Sequence, residues 1–195
     1  MTNKIILFCV LIFSGFIYVF IGGLENIERK SFEAFYSSKP DLNFQNNLNK
    51  RIDNLLKIKS NTPSQLNLLA TQLLADGRYS ESSKVFNFYI DTYSDFVDSD
   101  IYSSFAESSY LNNKMKFNNN IVSLLDKSLF LDPSNHKALT MKGLFNFENG
   151  KFNDALKNWA IALENVDSDD QKKSLIIVMN SALKEIEINK NKNTN

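Results

Sequence analysis

Cysteine and histidine each occur once in the 195 residues, proline three times and glycine six times, and 22 basic side chains balance 22 acidic ones. One Cys and one His are too few for a metal cage, a thiol pair or a haem ligand set, so neither a metal nor a cofactor is expected. No segment concentrates the positive charge that phosphate neutralisation requires, which argues against a nucleic-acid partner. There is no Cys-x-x-Cys, no phosphate loop and no convincing acid and base pair, so no enzymatic activity is expected. Cys9 sits in an apolar N-terminal segment and the rest of the chain has no thiol. That suits an oxidising compartment and is equally tolerated in cytosol. Long stretches of apolar and polar alternation are also missing, which excludes a sheet-based fold.

What is present begins with that N-terminal segment. From Ile5 to Ile21 the run IILFCVLIFSGFIYVFI carries no charge. With Gly22, Gly23 and Leu24 it reaches about 20 residues, or roughly 30 Å as a helix, enough to span a bilayer. Residues 1–24 are read as a transmembrane anchor. A cleaved signal peptide competes with this reading, but Val19, Phe20 and Ile21 before the glycines make a poor small-x-small cleavage site. A lipoprotein needs its Cys at the end of the run, and Cys9 comes too early. Positive charge hardly decides the orientation, because Lys4 and the amino terminus face Arg29 and Lys30. A signal anchor, with everything after Gly23 exported, is the simpler topology.

Residues 25–47 mix charges, serines, Pro40 and asparagines without sustained periodicity and are read as a linker, partly helical near Ile27 to Phe35. From Leu48, the spacing Leu48, Ile52, Leu55, Leu56 gives one apolar helical face, closed by Ser60-Asn61-Thr62-Pro63. Helices are expected from there to about Ile188, a repeat domain over 48–188, followed by a disordered polar tail at 189–195.

Within that domain the sequence repeats. Gly77 and Gly150 are each followed two residues later by an aromatic, Tyr79 or Phe152, and preceded by a small residue, Ala70 or Gly143. A second aromatic, Phe86 or Trp159, falls at the same spacing in both copies. This pattern describes antiparallel helix pairs: the small residue allows close approach, the Gly supplies a left-handed helix end and the aromatics fill the seam. A third, degraded copy spans 99–132 with Ala106 as its small residue. Its turn, LNNKMKFNNN, lacks Gly and is about three residues too long; the period is about 34 residues, that of tetratricopeptide repeats. Asp132-Pro133 stops its second helix. A terminal helix from about Asp170 to Ile188 serves as the cap a solenoid needs, with Ser168 or Asp169 at its start.

Three features could be read as sites. Trp159 is read as a packing knob, with ligand binding as the alternative. His136 is read as a helix-start surface residue, with a haem or metal ligand as the alternative. DSDDQ at 167–171 lacks the Gly and the distant Glu of a calcium loop and is read as a helix cap.

The run LDPSNHKALTMKGLFNFENGKFNDALKNWAIAL, residues 131–163, resembles the tetratricopeptide domain of the cytochrome c maturation subunit of the CcmI or CycH type, related to NrfG. The matching residues include Leu131, Asp132, Pro133, Gly143, Gly150 and Trp159, and the likeness extends over roughly 48–187. Lys142 departs from the family's usual Leu, and the fuller members carry a second membrane helix and a cytoplasmic loop. The resemblance implies a protein of the bacterial inner membrane, single-pass, with its C-terminal domain in the periplasm. It implies partners as well: apocytochrome c, held by its C-terminal helix, and the haem lyase subunits to which it is presented. A concave array of first helices suits that task. The repeat register assigns Asn67, Thr71 and Leu74 to a peptide-binding groove in the first copy, Ser103, Glu107 and Tyr110 in the second, and Thr140, Leu144 and Phe147 in the third. A general periplasmic repeat scaffold or chaperone in envelope protein assembly, and a cytosol-facing anchored adaptor, are the competing readings. The expected fold is all-α: one transmembrane helix, then an α-solenoid of about three helical hairpins with a C-terminal capping helix.

Overall fold

The computed structural model describes residues 23–38, 43–58 and 61–193, and every regular element among them is helical. The chain divides into two compact units, residues 1–66 and 67–195.

In the first unit, α1 (Gly23–Tyr36) packs on α2 (Phe44–Leu56). Phe35 stacks on Phe44 with ring centroids 4.8 Å apart, and the Arg51 guanidinium lies 4.6 Å above Phe35. Arg51 Nη1 also donates to the Ser31 hydroxyl at 2.9 Å. Aromatics and one arginine therefore knit together a stretch whose composition suggested a linker over 25–47. Phe44, Leu48, Ile52 and Leu55 form the buried face of α2, which is the face given by the apolar spacing.

Helix α3 (Pro63–Ala75) begins with a reciprocal cap: Thr62 N donates to Gln65 Oε1 at 3.1 Å and Gln65 N to Thr62 Oγ1 at 3.3 Å. Two otherwise orphaned amides are satisfied this way, and Pro63 in the first turn loses nothing by lacking its N–H.

The second unit is a succession of antiparallel hairpins. Helix α3 turns into α4 (Tyr79–Thr92), and after a 3-10 turn (Ser94–Phe96) α5 (Ser99–Asn112) pairs with α6 (Asn119–Leu131). Next α7 (His136–Glu148) pairs with α8 (Phe152–Asn165), and α9 (Asp169–Asn193) packs on α8. The small residues Ala70, Ala106 and Gly143 are all buried at these seams, as are Phe86 and Trp159. In the first hairpin, the Ser82 hydroxyl donates to the Ala70 carbonyl at 2.8 Å. In the last, Trp159 Nε1 donates to the Thr140 carbonyl at 3.0 Å. Trp159 is 1% exposed, which makes it the packing knob its spacing suggested.

All three hairpin turns close in one way. Arg78 N bonds the Leu73 carbonyl while Gly77 N bonds that of Leu74; Lys151 and Gly150 repeat this onto Asn146 and Phe147. Both glycines are left-handed, with φ of 73° and 72°. This paired closure satisfies the last free carbonyls of the first helix. The long turn does the same without glycine: Met115 N bonds the Tyr110 carbonyl and Lys114 N that of Leu111, with φ of 55° and 56°. Phe117 then fills the extra length, its ring 4.5 Å from Tyr110 and 5.3 Å from Phe145 of α7.

Asn135, buried at the start of α7, caps that helix by accepting from Ala138 N at 2.9 Å, and donates to Asp100 Oδ1 of α5 at 2.7 Å. Ser168 caps α9, accepting from Gln171 N at 3.5 Å. Helix α9 continues past Ile188 to Asn193, through the stretch expected as a tail; Lys190 and Lys192 in its last turn offset the negative end of the helix dipole.

The membrane part of the expected fold and location requires correction. Among the described residues no helix is long and apolar enough to cross a membrane. Helices α1 to α8 have 13 or 14 residues, about 20 Å, against a hydrocarbon core of roughly 30 Å. Helix α9 is long enough but carries lysines and acids along its length. The single-pass inner-membrane reading is withdrawn on that finding. The apolar run Ile5–Ile21 on which it was based lies outside the described residues.

Candidate functional site

Helices α5, α7 and α9 share one face of the second unit, and a cavity of about 270 Å³ opens between them. Met141 of α7, Val166 of the α8–α9 connection, and Leu175 and Val178 of α9 supply apolar walls. Each is buried or half-buried, because its other side belongs to the packing that holds α9 in place. The mouth is polar, with Glu107 of α5 and His136, Lys137 and Thr140 of α7.

The polar groups are held in place. Lys137 Nζ lies 3.0 Å from Glu107 Oε2 and donates to the Ser104 hydroxyl at 3.1 Å, tying α7 to α5. Both charged side chains are about one-third exposed, so the pair adds little to stability, roughly 0–1 kcal/mol, and chiefly fixes position. The Thr140 hydroxyl donates to the His136 carbonyl at 2.7 Å, while the Thr140 carbonyl is occupied by Trp159. Among the described residues no group of three or more His, Cys, Asp or Glu could hold a metal ion. An apolar pocket with a fixed polar mouth can bury one large side chain of a partner and orient its backbone.

Of the residues assigned to a groove by register, the structure brings Glu107 and Thr140 together at this cavity. Tyr110 lies one turn further along α5, half-buried, and its hydroxyl donates to Glu148 Oε1 at 3.4 Å. Burial, and then the neighbouring Glu148 carboxylate, push its ionisation above the ordinary phenol range. Ser103 is 0% exposed and donates to the Asp100 carbonyl at 3.1 Å, so it is interior. Leu144 and Phe147 pack against the core around Trp159, with Phe147 5.9 Å from the indole and 5.3 Å from Phe152. Asn67 and Thr71 are exposed on α3 and bonded to each other at 3.3 Å, and Leu74 is half-buried there.

The register reading missed Lys137, Met141 and the entire α9 wall. A signal for the lysine was present: Lys137 and Glu107 occupy first helices of consecutive copies and have opposite charge. The α9 wall carried none, since a capping helix is read for the surface it covers.

No family model and no curated protein matches the chain. Among solved structures, a crystal structure of MamA protein aligns over 89% of this chain and 90% of its own, with a TM-score of 0.51 and 11% identity. A second MamA crystal structure covers 79% of this chain and 99% of its own at 10% identity; its TM-score of 0.47 is too low to argue from. The first likeness is one of fold. The closer resemblance to cytochrome c maturation subunits stays with the sequence motifs that suggested it, and what the comparison supports is a tetratricopeptide-like all-helical architecture.

Proposed function

We propose that this chain is a protein-interaction scaffold that binds a segment of a partner protein on the face made by α5, α7 and α9, and performs no bond-making chemistry. The observation that carries this reading is the cavity of about 270 Å³, apolar within and bordered by the Glu107–Lys137 pair. A site of that kind seats one leucine- or phenylalanine-sized anchor from an amphipathic helix. The finer reading, supported by the residues of 131–163 alone, is that the segment is the C-terminal helix of apocytochrome c, on its way to the haem lyase subunits. Titrating the full chain with C-terminal peptides of c-type cytochromes and with composition-matched scrambled peptides tests both levels. Tighter binding of the native peptides is expected. Equal affinity for native and scrambled peptides would remove the cytochrome reading, and binding of neither would remove the scaffold reading.

A further inference from the structure

The sequence sets asparagine directly before glycine once, at Asn149-Gly150, in the exposed turn between α7 and α8. In a free chain that pair is reactive. The Gly150 main-chain nitrogen has no Cβ beside it to hinder attack on the Asn149 side-chain carbonyl carbon, and the side-chain amide can depart as ammonia. The other two turns lack the combination. Asp76 precedes Gly77, and a carboxylate is the poorer electrophile; Asn113 precedes Lys114, whose side chain crowds the attacking nitrogen.

Three features of the folded turn oppose the reaction. Ring closure requires the Gly150 nitrogen to swing alongside the Asn149 Cβ, but ψ of 11° at Asn149 holds it nearly eclipsed with the Asn149 nitrogen instead. Gly150 N donates to the Phe147 carbonyl at 3.0 Å as part of the turn closure. Asn149 Nδ2 donates to the Phe145 carbonyl at 2.7 Å, which draws the side-chain amide back along α7. All three restraints belong to the end of α7, so they are lost together when the last hairpin opens.

We propose that Asn149 is a site of one-way modification, closed in the native hairpin and open to succinimide formation whenever the turn between α7 and α8 unravels. The step balances with water as its sole co-reactant. A bond forms between the Gly150 nitrogen and the Asn149 Cγ, the bond from Cγ to Nδ2 breaks, and the proton from the Gly150 nitrogen leaves with the ammonia. Water then opens the ring at one of its two carbonyls. Opening at Cγ leaves aspartate, and opening at the main-chain carbonyl leaves isoaspartate, with a methylene added to the backbone. Either product sets a carboxylate at the negative end of α7 and removes the donor to Phe145, so a molecule that has reacted recloses less stably. The proposal uses neither the cavity nor its occupant and stands apart from the scaffold reading.

Incubating the full chain in mildly alkaline buffer across a urea series tests it, with peptide mapping by mass spectrometry to follow Asn149 and circular dichroism to follow unfolding. Opening is fast beside this chemistry, so conversion should track the opened fraction and run at least about tenfold slower without urea than in the unfolded chain. Gly150→Ala should slow conversion in the unfolded chain, where the added methyl hinders attack and folding plays no part. Asn149→Asp, which is one of the two products, should unfold at lower urea than the unaltered chain. Equal rates in the folded and unfolded chain, no conversion in the unfolded chain, a rate there indifferent to Gly150→Ala, or an unchanged midpoint in Asn149→Asp would each overturn the proposal.

Discussion

Gly143 on α7 and Trp159 on α8 are in contact so close that a Cβ at position 143 would lie 2.7 Å from Trp159 Cε2 and nearer still to Nε1. The indole cannot withdraw, because Nε1 is bonded to the Thr140 carbonyl one turn away on the same helix. Gly143→Ala should therefore destabilise the fold by about 3 kcal/mol, the upper part of the range for overpacking a filled core. Denaturant unfolding followed by circular dichroism measures this. Combining Gly143→Ala with Trp159→Leu should cost less than the sum of the two single changes, since the pair is directly coupled. An additive result would mean that the close contact is not the cause.

The three turns allow a second comparison. Lys114 holds a left-handed backbone that costs an L-residue roughly 1–2 kcal/mol, so Lys114→Gly should stabilise by about 1 kcal/mol. Gly150→Ala should destabilise by about the same amount. No atom lies within 4 Å of a Cβ at 150, so that cost is purely one of backbone conformation. Unchanged midpoints in both variants would contradict this account of the turns.

Ser174 lines the cavity from an exposed position on α9. Ser174→Trp should fill the cavity, weaken binding of the partner helix by about tenfold and leave the unfolding midpoint unchanged, because the added ring occupies space that is already open. Isothermal titration of the variant against whichever peptide binds the unaltered chain reads the first effect and thermal unfolding the second. Unaltered affinity would place the binding face elsewhere.

Alkaline pH gives a test with a defined sign. Tyr89 is buried, and its hydroxyl donates to the Phe96 carbonyl at 3.1 Å; burial first, and Asp98 second, raise its pKa above the ordinary 10.0. Tyr110 is raised as well, by burial and by Glu148. A raised folded-state pKa means that the stabilisation is complete below the unfolded value of 10.0 and is lost as pH rises through the folded value. Stability should thus begin to fall near pH 10, and the pH slope should be smaller in Tyr89→Phe. For Asp132 the sign reverses. Bonds from the Ser134 hydroxyl and amide hold its carboxyl below 3.8, so its contribution is present above that value and is lost as the carboxylate protonates in acid.

The repeat architecture was legible because its strictest requirements leave a mark on residue type. A left-handed turn calls for Gly77 and Gly150, and an indole against the backbone calls for Gly143. Where the fold tolerates a penalty, the mark disappears: Lys114 and Met115 are left-handed with nothing in their chemistry to announce it, and the long turn read as degraded retains the full closing pattern. The cavity was half legible for a related reason. Register alone chose Glu107 and Thr140, which line the cavity, together with Ser103, which is interior, and Phe147, which packs against the core around Trp159. The packing of α1 on α2 depends on aromatics brought together across a bend, Phe35 with Phe44, and spacing within one helix cannot show that. The anchor reading rested on residues 5–24, and the described helices provide no membrane-spanning element to support it.

Helix α9 is both a wall of the cavity and the last described helix of the stack, where it packs chiefly on α8. An occupant touching Leu175 and Val178 would thereby clamp the part of the molecule most prone to fray. Its arrival should be visible without any label on the partner, as slowed amide hydrogen exchange along 170–180 and little change in α6.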